Sequence, residues 1–150
     1  MTDKLYFEDI AVGDSFNGTP VAVEREQMLW FAHEFDDQGM HIDPAAARAM
    51  GLDDIIAPGA MIFALTSKMQ RDIWKGLHML PSGRGIEIDF QRPVYAGDTL
   101  TAHTTVPAVR PSSKPGRGWI ETITSYANQH GETVAETKGT WLLVSRPPDR

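Results

Sequence analysis

The chain has 150 residues and a formal net charge of −6, and this length predicts a single domain over residues 1–150. An acidic chain with a pI near 5.3 lacks the concentrated basic surface that nucleic acids and anionic membranes require, so we expect neither as a partner. The sequence contains no cysteine. This excludes disulfides, thiolate metal sites, iron–sulfur clusters and a cysteine nucleophile.

Targeting signals are not evident in the sequence. The N-terminal residues lead into no apolar segment of the kind that signal peptides carry. The nearest approach to a membrane span, residues 55–65, is interrupted by Pro58 and Gly59 and falls short of the roughly 18–20 apolar residues needed. We therefore expect a cytoplasmic protein.

Three helices are predicted in chain order. Apolar residues recur along one face of residues 24–35, which is typical of an amphipathic helix. A second helix is predicted to begin at Asp43 and Pro44, a capping residue followed by a residue suited to the first turn, and to end at Gly51. The longest helix is predicted over residues 60–77, and its nearly apolar first half must be surrounded by other elements.

Strand patterns fill the rest of the chain. A short strand is predicted at residues 20–23, and apolar residues alternate with polar ones over 86–91, which predicts a strand with one buried face. Threonine-rich residues 99–106 predict another strand. Residues 119–127 and 133–144 flank a Gln-His-Gly turn and predict an antiparallel hairpin.

One structureless loop is predicted, over the proline- and glycine-rich residues 107–118. A mostly apolar helix followed by four antiparallel strands favours a sheet that curls around that helix. The predicted fold class is therefore α+β.

The most informative residues are an acid and a histidine, Asp36 and His41, between the first two helices. A carboxylate and an imidazole that reach one water form an acid–base pair suited to neutral pH. Pro58 and Gly59 precede the longest helix, whose free N–H groups can stabilise a developing oxyanion. This combination is suited to adding or removing water beside a carbonyl.

From spacing alone, other interpretations stay open. Asp36 is also explained as a turn residue and His41 as an exposed histidine. Asp37 is interpreted as solvated and Asp43 as a helix cap. A metal site of Asp36, His41 and Asp43 has suitable ligand types, but no second histidine lies nearby at metal-site spacing, so we expect no metal.

Three motifs in this order resemble the MaoC-like dehydratases, relatives of the (R)-specific enoyl-CoA hydratases that have the hot-dog fold. The resemblance covers about residues 6–144 and includes an opening turn at residues 7–14. The motifs are Asp36-x-Gln38-x-x-His41-x-Asp43-Pro44, Ile56-Ala57-Pro58-Gly59 and Arg92-Pro93-Val94-Tyr95-Ala96-Gly97-Asp98-Thr99-Leu100.

The resemblance implies a role for each matching residue. Asp36 would activate the water that adds at C3 of a 2-enoyl thioester, and His41 would share that water and move the proton at C2. The Gly59 N–H would polarise the thioester carbonyl, and Gln38 would orient the pair. We expect Ala60 and Met61 to contact the substrate beside Gly59. No cofactor is implied, because the CoA or acyl-carrier thioester belongs to the substrate.

Departures from the family pattern bear on the substrate. Phe35 precedes Asp36 where many members have Gly, and Gln38 with Gly39 replaces Asn-Pro, a variation that a subset of the family shares. Side chains near the motifs are expected to set the size of the acyl group: Met40, Met61, Ile62 and Phe63.

Other residues are candidates for the substrate's phosphates or for structural roles. Positive side chains that could bind phosphate, or merely solubilise the surface, are Arg84, Arg92, Lys114 and Arg117. The remaining histidines and two of the tryptophans are expected to be structural, exposed or at an interface: His33, His78, His103, His130, Trp119 and Trp141.

The resemblance also predicts a homodimer whose two sheets join into one, with the acyl tunnel near the interface. Two alternative functions stay open. A hot-dog thioesterase would direct water at the thioester carbonyl, and a non-catalytic subunit would only bind the acyl thioester.

Overall fold

The computed structural model of the protein describes residues 3–82 and 84–149. Within these ranges, a curved antiparallel sheet of seven strands curls around the helix α4, Gly59–Met69. This arrangement confirms the predicted α+β class. The strands are β1 Ser15–Asn17, β2 Val21–Ala22, β3 Met79–Leu80, β4 Ile86–Phe90, β5 Thr99–Pro111, β6 Arg117–Ala127 and β7 Thr133–Val144.

The three long strands β5, β6 and β7 form the centre of the sheet, in that order. β1 and β2 pair with β5 on the side away from β6, and β3 and β4 pair with β7 on the side away from β6. α4 packs its apolar face on the concave side of this sheet, where Met61, Leu65 and Met69 are buried in the main core with Tyr126. A second, smaller core surrounds Ile120 and includes Val106 of β5 and Leu143 of β7.

Among the described residues there are four further α-helices, and the first two of them position Asp36 and His41. The four are α1 Arg25–Phe35, α2 Gly39–Ile42, α3 Pro44–Ala49 and α5 Arg71–Lys75. The predicted start and end of α3 are confirmed, since the Asp43 side chain accepts a hydrogen bond from the Ala45 N–H and Gly51 has a φ of +85°. α2 was not predicted, because four residues carry no periodic pattern. No helix in the described part of the chain combines the length and hydropathy of a membrane span.

The predicted single helix over residues 60–77 is wrong, because the helix breaks at Gln70. The Met69 carbonyl accepts from the Thr19 N–H, outside the helix, at 2.9 Å. The Gln70 side chain is buried and bonded to Thr124 and Tyr126 of the sheet. These long-range bonds replace the continuation of the helix.

The predicted loop over residues 107–118 is also wrong in extent. β5 runs to Pro111 and β6 begins at Arg117, so that only a short connection remains. The register shifts between Thr105 and Ala108, which accommodates Pro107 in the strand.

Strand β4 forms as predicted, but its apolar face is not buried within one chain. Ile86 is 39% exposed and Phe90 is 47% exposed. β4 lies at the edge of the sheet and pairs only with β7 among the described residues. No second layer covers this edge in the described part of the chain.

Candidate active site

Asp36 and His41 lie on two consecutive helix ends that place them side by side. Asp36 terminates α1, where its N–H bonds to the Ala32 carbonyl at 2.8 Å. His41 lies in α2, one short turn further along the chain. As a result, Asp36 Oδ2 and His41 Nε2 are 3.5 Å apart.

The orientation of the imidazole is fixed by the backbone. His41 is only 4% exposed, and its Nδ1 lies 2.8 Å from the carbonyl oxygen of Ile56. A carbonyl oxygen can only accept, so this partner assigns the proton of the neutral ring to Nδ1. The Nε2 lone pair therefore faces Asp36. The Ile56 backbone is itself held, because its N–H donates to the Met40 carbonyl at 3.0 Å.

The carboxylate is oriented by Gln38. The Gln38 Nε2 donates to Asp36 Oδ1 at 2.7 Å, which leaves Oδ2 for the histidine side. Asp36 Oδ2 and His41 Nε2 are thus two acceptors that face one another. One water can donate a hydrogen to each of them and keep an oxygen lone pair free for attack.

Gly59 begins α4 and provides a hydrogen-bond donor near this pair. Pro58 precedes it in an extended conformation, with φ −57° and ψ 143°. No described residue accepts a hydrogen bond from the Gly59 N–H, as expected for the first turn of a helix. A Cβ added to Gly59 would lie 3.0 Å from Cζ of Phe90, so the glycine allows the close approach of that ring.

These groups line one cavity of about 440 Å³. Four of the six predicted site residues contribute to it: Asp36, Gln38, His41 and Gly59. The structure therefore brings the predicted acid, base and helix N-terminus together.

Ala60 and Met61, the two other residues predicted to contact the substrate, do not line the cavity. Ala60 is exposed on the outer face of α4, and Met61 is 1% exposed in the main core. Successive helical residues point about 100° apart, so the residue that shares a face with Gly59 is Ile62, three positions on. Ile62 does line the cavity, whereas Phe63 is 41% exposed elsewhere.

The opposite wall comes from the end of β4 and the segment after it. The sequence prediction did not assign four of these residues to the site, although two lie within the third family motif: Phe90, Gln91, Pro93 and Val94. That motif was the signal available for finding them. Arg92, a candidate for phosphate binding, also lines the cavity.

The other histidines lie elsewhere and have other partners. His78 stacks on Tyr6 with ring centroids 4.0 Å apart, and His103 Nδ1 lies 2.9 Å from Asn17 Oδ1. His33 and His130 are exposed. Across residues 3–82 and 84–149, no three histidine or acidic side chains converge as metal ligands.

Comparisons with known proteins agree with this fold. A family model described as "FAS1-like, dehydratase domain region" matches residues 10–137. The crystal structure of a MaoC-like dehydratase from Rhodospirillum rubrum superposes with a TM-score of 0.85 at 32% identity, covering 95% of this chain and 99% of that one. The HadBC complex of Mycobacterium tuberculosis, a 3R-hydroxyacyl-ACP dehydratase, has a chain at 26% identity and a TM-score of 0.73, with coverages of 87% and 96%.

A relative known from sequence is the UPF0336 protein of Streptomyces avermitilis. It is 32% identical over 130 residues, which is 82% of this chain and 85% of the relative. The similarity therefore extends over more than four fifths of both proteins.

Proposed function

The chain belongs to the dehydratase family described as the FAS1-like dehydratase region and has the hot-dog fold of the MaoC-like dehydratases, and from this premise we propose that it hydrates 2-enoyl thioesters reversibly. The product is the (R)-3-hydroxyacyl thioester. One observation carries the proposal: Asp36 Oδ2 and His41 Nε2 face each other at 3.5 Å in the cavity that Gly59 also lines.

The proposed reaction begins with the water held between the two acceptors. Its oxygen forms a bond to C3, and the electron pair of the C2=C3 bond moves onto the thioester oxygen as an enolate. Asp36 accepts the proton that the water loses. That proton then passes from Asp36 to Nε2 of His41 and on to C2, where it forms the new C–H bond. The enolate returns to the carbonyl, and both groups regain their starting states. Addition of both parts of water from one side makes the hydration syn.

The proposed enolate needs a donor, and Gly59 supplies it. A free N–H at a helix N-terminus combines a hydrogen bond with the positive end of the helix dipole. Gln38 acts as a positioning residue, because its amide holds Asp36 Oδ1 and so aims Oδ2 at the water. The reaction involves no redox change and needs no cofactor beyond the thioester carrier of the substrate.

We further propose that the protein works as a homodimer. β4 has a free edge in the described part of the chain, and Ile86 and Phe90 are half exposed there. A second copy that pairs at this edge would extend the sheet, cover the apolar side chains and remove the exposed edge. Light scattering in solution is expected to give twice the 16.6 kDa of one chain.

The test is an absorbance assay for loss of the enoyl thioester, run with 2-enoyl-CoA substrates of several chain lengths and branching patterns. Asp36→Asn is expected to lower kcat by about 10²–10⁴-fold, because the new amide would donate to His41 and displace the water. Asp37→Asn changes the neighbouring exposed carboxylate and is the matched control. Equal activity in both variants would remove Asp36 from the mechanism.

The two alternative functions give different results with saturated acyl-CoA. A thioesterase releases free thiol from it, whereas a hydratase leaves it intact. If no substrate turns over but acyl-CoA raises the melting temperature, the protein is a binding subunit.

A further inference from the structure

Arg92 is the basic residue of the cavity wall. It follows the end of β4, and it also lines an adjoining polar groove of about 280 Å³ with Tyr95, Asn128 and His130. The groove therefore lies beside the Asp36–His41 cavity, and the two share Arg92 and Pro93 in their walls.

The guanidinium of Arg92 is held loosely although its backbone is fixed. The Gln91 and Arg92 N–H groups both donate to the Val134 carbonyl, at 2.8 and 3.2 Å. The side chain has one ion-pair contact, 3.2 Å to Glu132 Oε2, and both side chains are about half exposed. An exposed pair of this kind contributes little to stability, so a better anion can replace the glutamate at low cost.

The other basic candidates lie away from this cavity. Arg84 is placed over the ring of Trp119, 4.8 Å from its centroid. Arg117 and Lys114 belong to the β5–β6 end of the sheet. None of these three lines the cavity or the groove beside it.

Several carboxylates surround the cavity and the groove, so an anionic substrate needs a cation there in order to bind. The chain carries a net charge of −6, and Asp36, Asp98 and Glu132 lie on the walls of the cavity and the groove. A substrate that bears negative charge would be repelled by these carboxylates. A guanidinium fork, by contrast, binds phosphate and carboxylate through two parallel hydrogen bonds.

We propose that Arg92 exchanges Glu132 for an anionic group of the substrate and so fixes the substrate along the groove. The proposal rests on the proposed function. The anion has two possible sources with the same chemistry: a phosphate of the carrier arm, or a carboxylate on the acyl group.

The experiment compares Arg92→Gln with wild type on three substrates. They are a 2-enoyl-CoA, the N-acetylcysteamine thioester of the same acid, which carries no phosphate, and the N-acetylcysteamine thioester of a 2-enoyl dicarboxylic acid. Loss of a charged hydrogen-bonded pair is expected to raise KM by about 10–100-fold, with kcat nearly unchanged, only where the anion is present. An increase confined to the CoA substrate places the anion on the carrier, and one confined to the dicarboxylic substrate places it on the acyl group.

Two further variants make the result specific. Arg92→Lys keeps the charge but not the fork and should lie between wild type and Arg92→Gln. Arg110→Gln removes a guanidinium that is equally exposed and also ion-paired, 3.7 Å from Glu121, but does not line the cavity, so it should leave KM unchanged. An unchanged KM in Arg92→Gln on all three substrates, or an equal loss on the uncharged thioester, overturns the proposal.

Binding separates this proposal from the proposed function. Calorimetry with CoA and with the saturated form of the dicarboxylic thioester, which a hydratase leaves intact, measures affinity without turnover. If wild type binds either compound more tightly than Arg92→Gln but hydrates nothing, the hydratase proposal fails and the role of Arg92 stands. If wild type hydrates enoyl thioesters and Arg92→Gln matches it in both affinity and KM, the role of Arg92 fails alone.

Discussion

Replacing Gly59 by proline removes one backbone N–H and tests the proposed oxyanion donor directly. Proline suits the first position of a helix, where the lost N–H has no partner in the helix. Pro58 already has the extended conformation, φ −57° and ψ 143°, that a residue before proline adopts. The helix should therefore form normally in Gly59→Pro.

Gly59→Ala is the matched control, because it adds a Cβ but keeps the N–H. That Cβ would lie 3.0 Å from Phe90 Cζ and 3.2 Å from Cε2. The contact is tight, but it involves only the far end of the Phe90 side chain, which can give by a few tenths of an ångström. The comparison of proline with alanine thus separates loss of the donor from crowding by the new carbon.

Loss of an oxyanion donor costs about 10²–10³-fold in kcat, or roughly 2.7–4 kcal/mol of transition-state stabilisation. We expect this ratio between Gly59→Ala and Gly59→Pro. The measurement is kcat at saturating enoyl thioester, with the melting temperature showing that both variants fold. If Gly59→Pro keeps kcat within about threefold of Gly59→Ala, the thioester oxygen does not bind at this amide.

Three other changes test the supports of the site and fold. Gln38→Ala frees Asp36 Oδ1 and should lower kcat by about tenfold with little change in KM or melting temperature, as measured by steady-state kinetics. Tyr126→Phe leaves the buried side-chain carbonyl of Gln70 without the hydroxyl that donates to it at 3.0 Å. Urea unfolding should show that the free energy of unfolding falls by about 1–3 kcal/mol. The Tyr6 N–H and the Arg146 guanidinium lower the pKa of Asp9 below 3.8. The charged carboxylate therefore stabilises the fold above that pH, and this stabilisation is lost on acidification. Asp9→Asn should therefore reduce the melting temperature at about pH 7 but not at about pH 2.

The sequence predicted elements well where local chemistry decides them. α3 begins and ends as predicted because a side-chain cap, a proline and a glycine act on their own neighbours. β7 has its predicted bounds, Thr133–Val144, because a turn precedes it and β-branched or aromatic residues recur along it. Such signals lie within the segment that they shape.

Elements set by distant partners were predicted less well. The break at Gln70 depends on bonds to Thr124 and Tyr126, more than fifty positions away, and nothing near Gln70 indicates them. Likewise, Pro111 belongs to β5 because it pairs with Gly118 across the hairpin, although the proline- and glycine-rich segment around it is typical of a loop. Local propensity is overridden in both cases by the long-range partner.

The residues of the site fall into the same two groups, those placed by local chain geometry and those placed by distant partners. Asp36, Gln38 and His41 are close in sequence, so two short helices joined by a tight turn suffice to bring them together. Phe90 reaches Gly59 only because β4 pairs with β7, through Phe90 opposite Ala135. The wall that would define the acyl group is therefore a product of strand pairing, whereas the acid–base pair is a product of local chain geometry. A change in β4 is consequently expected to alter the proposed substrate range while the geometry of residues 36–41 stays intact.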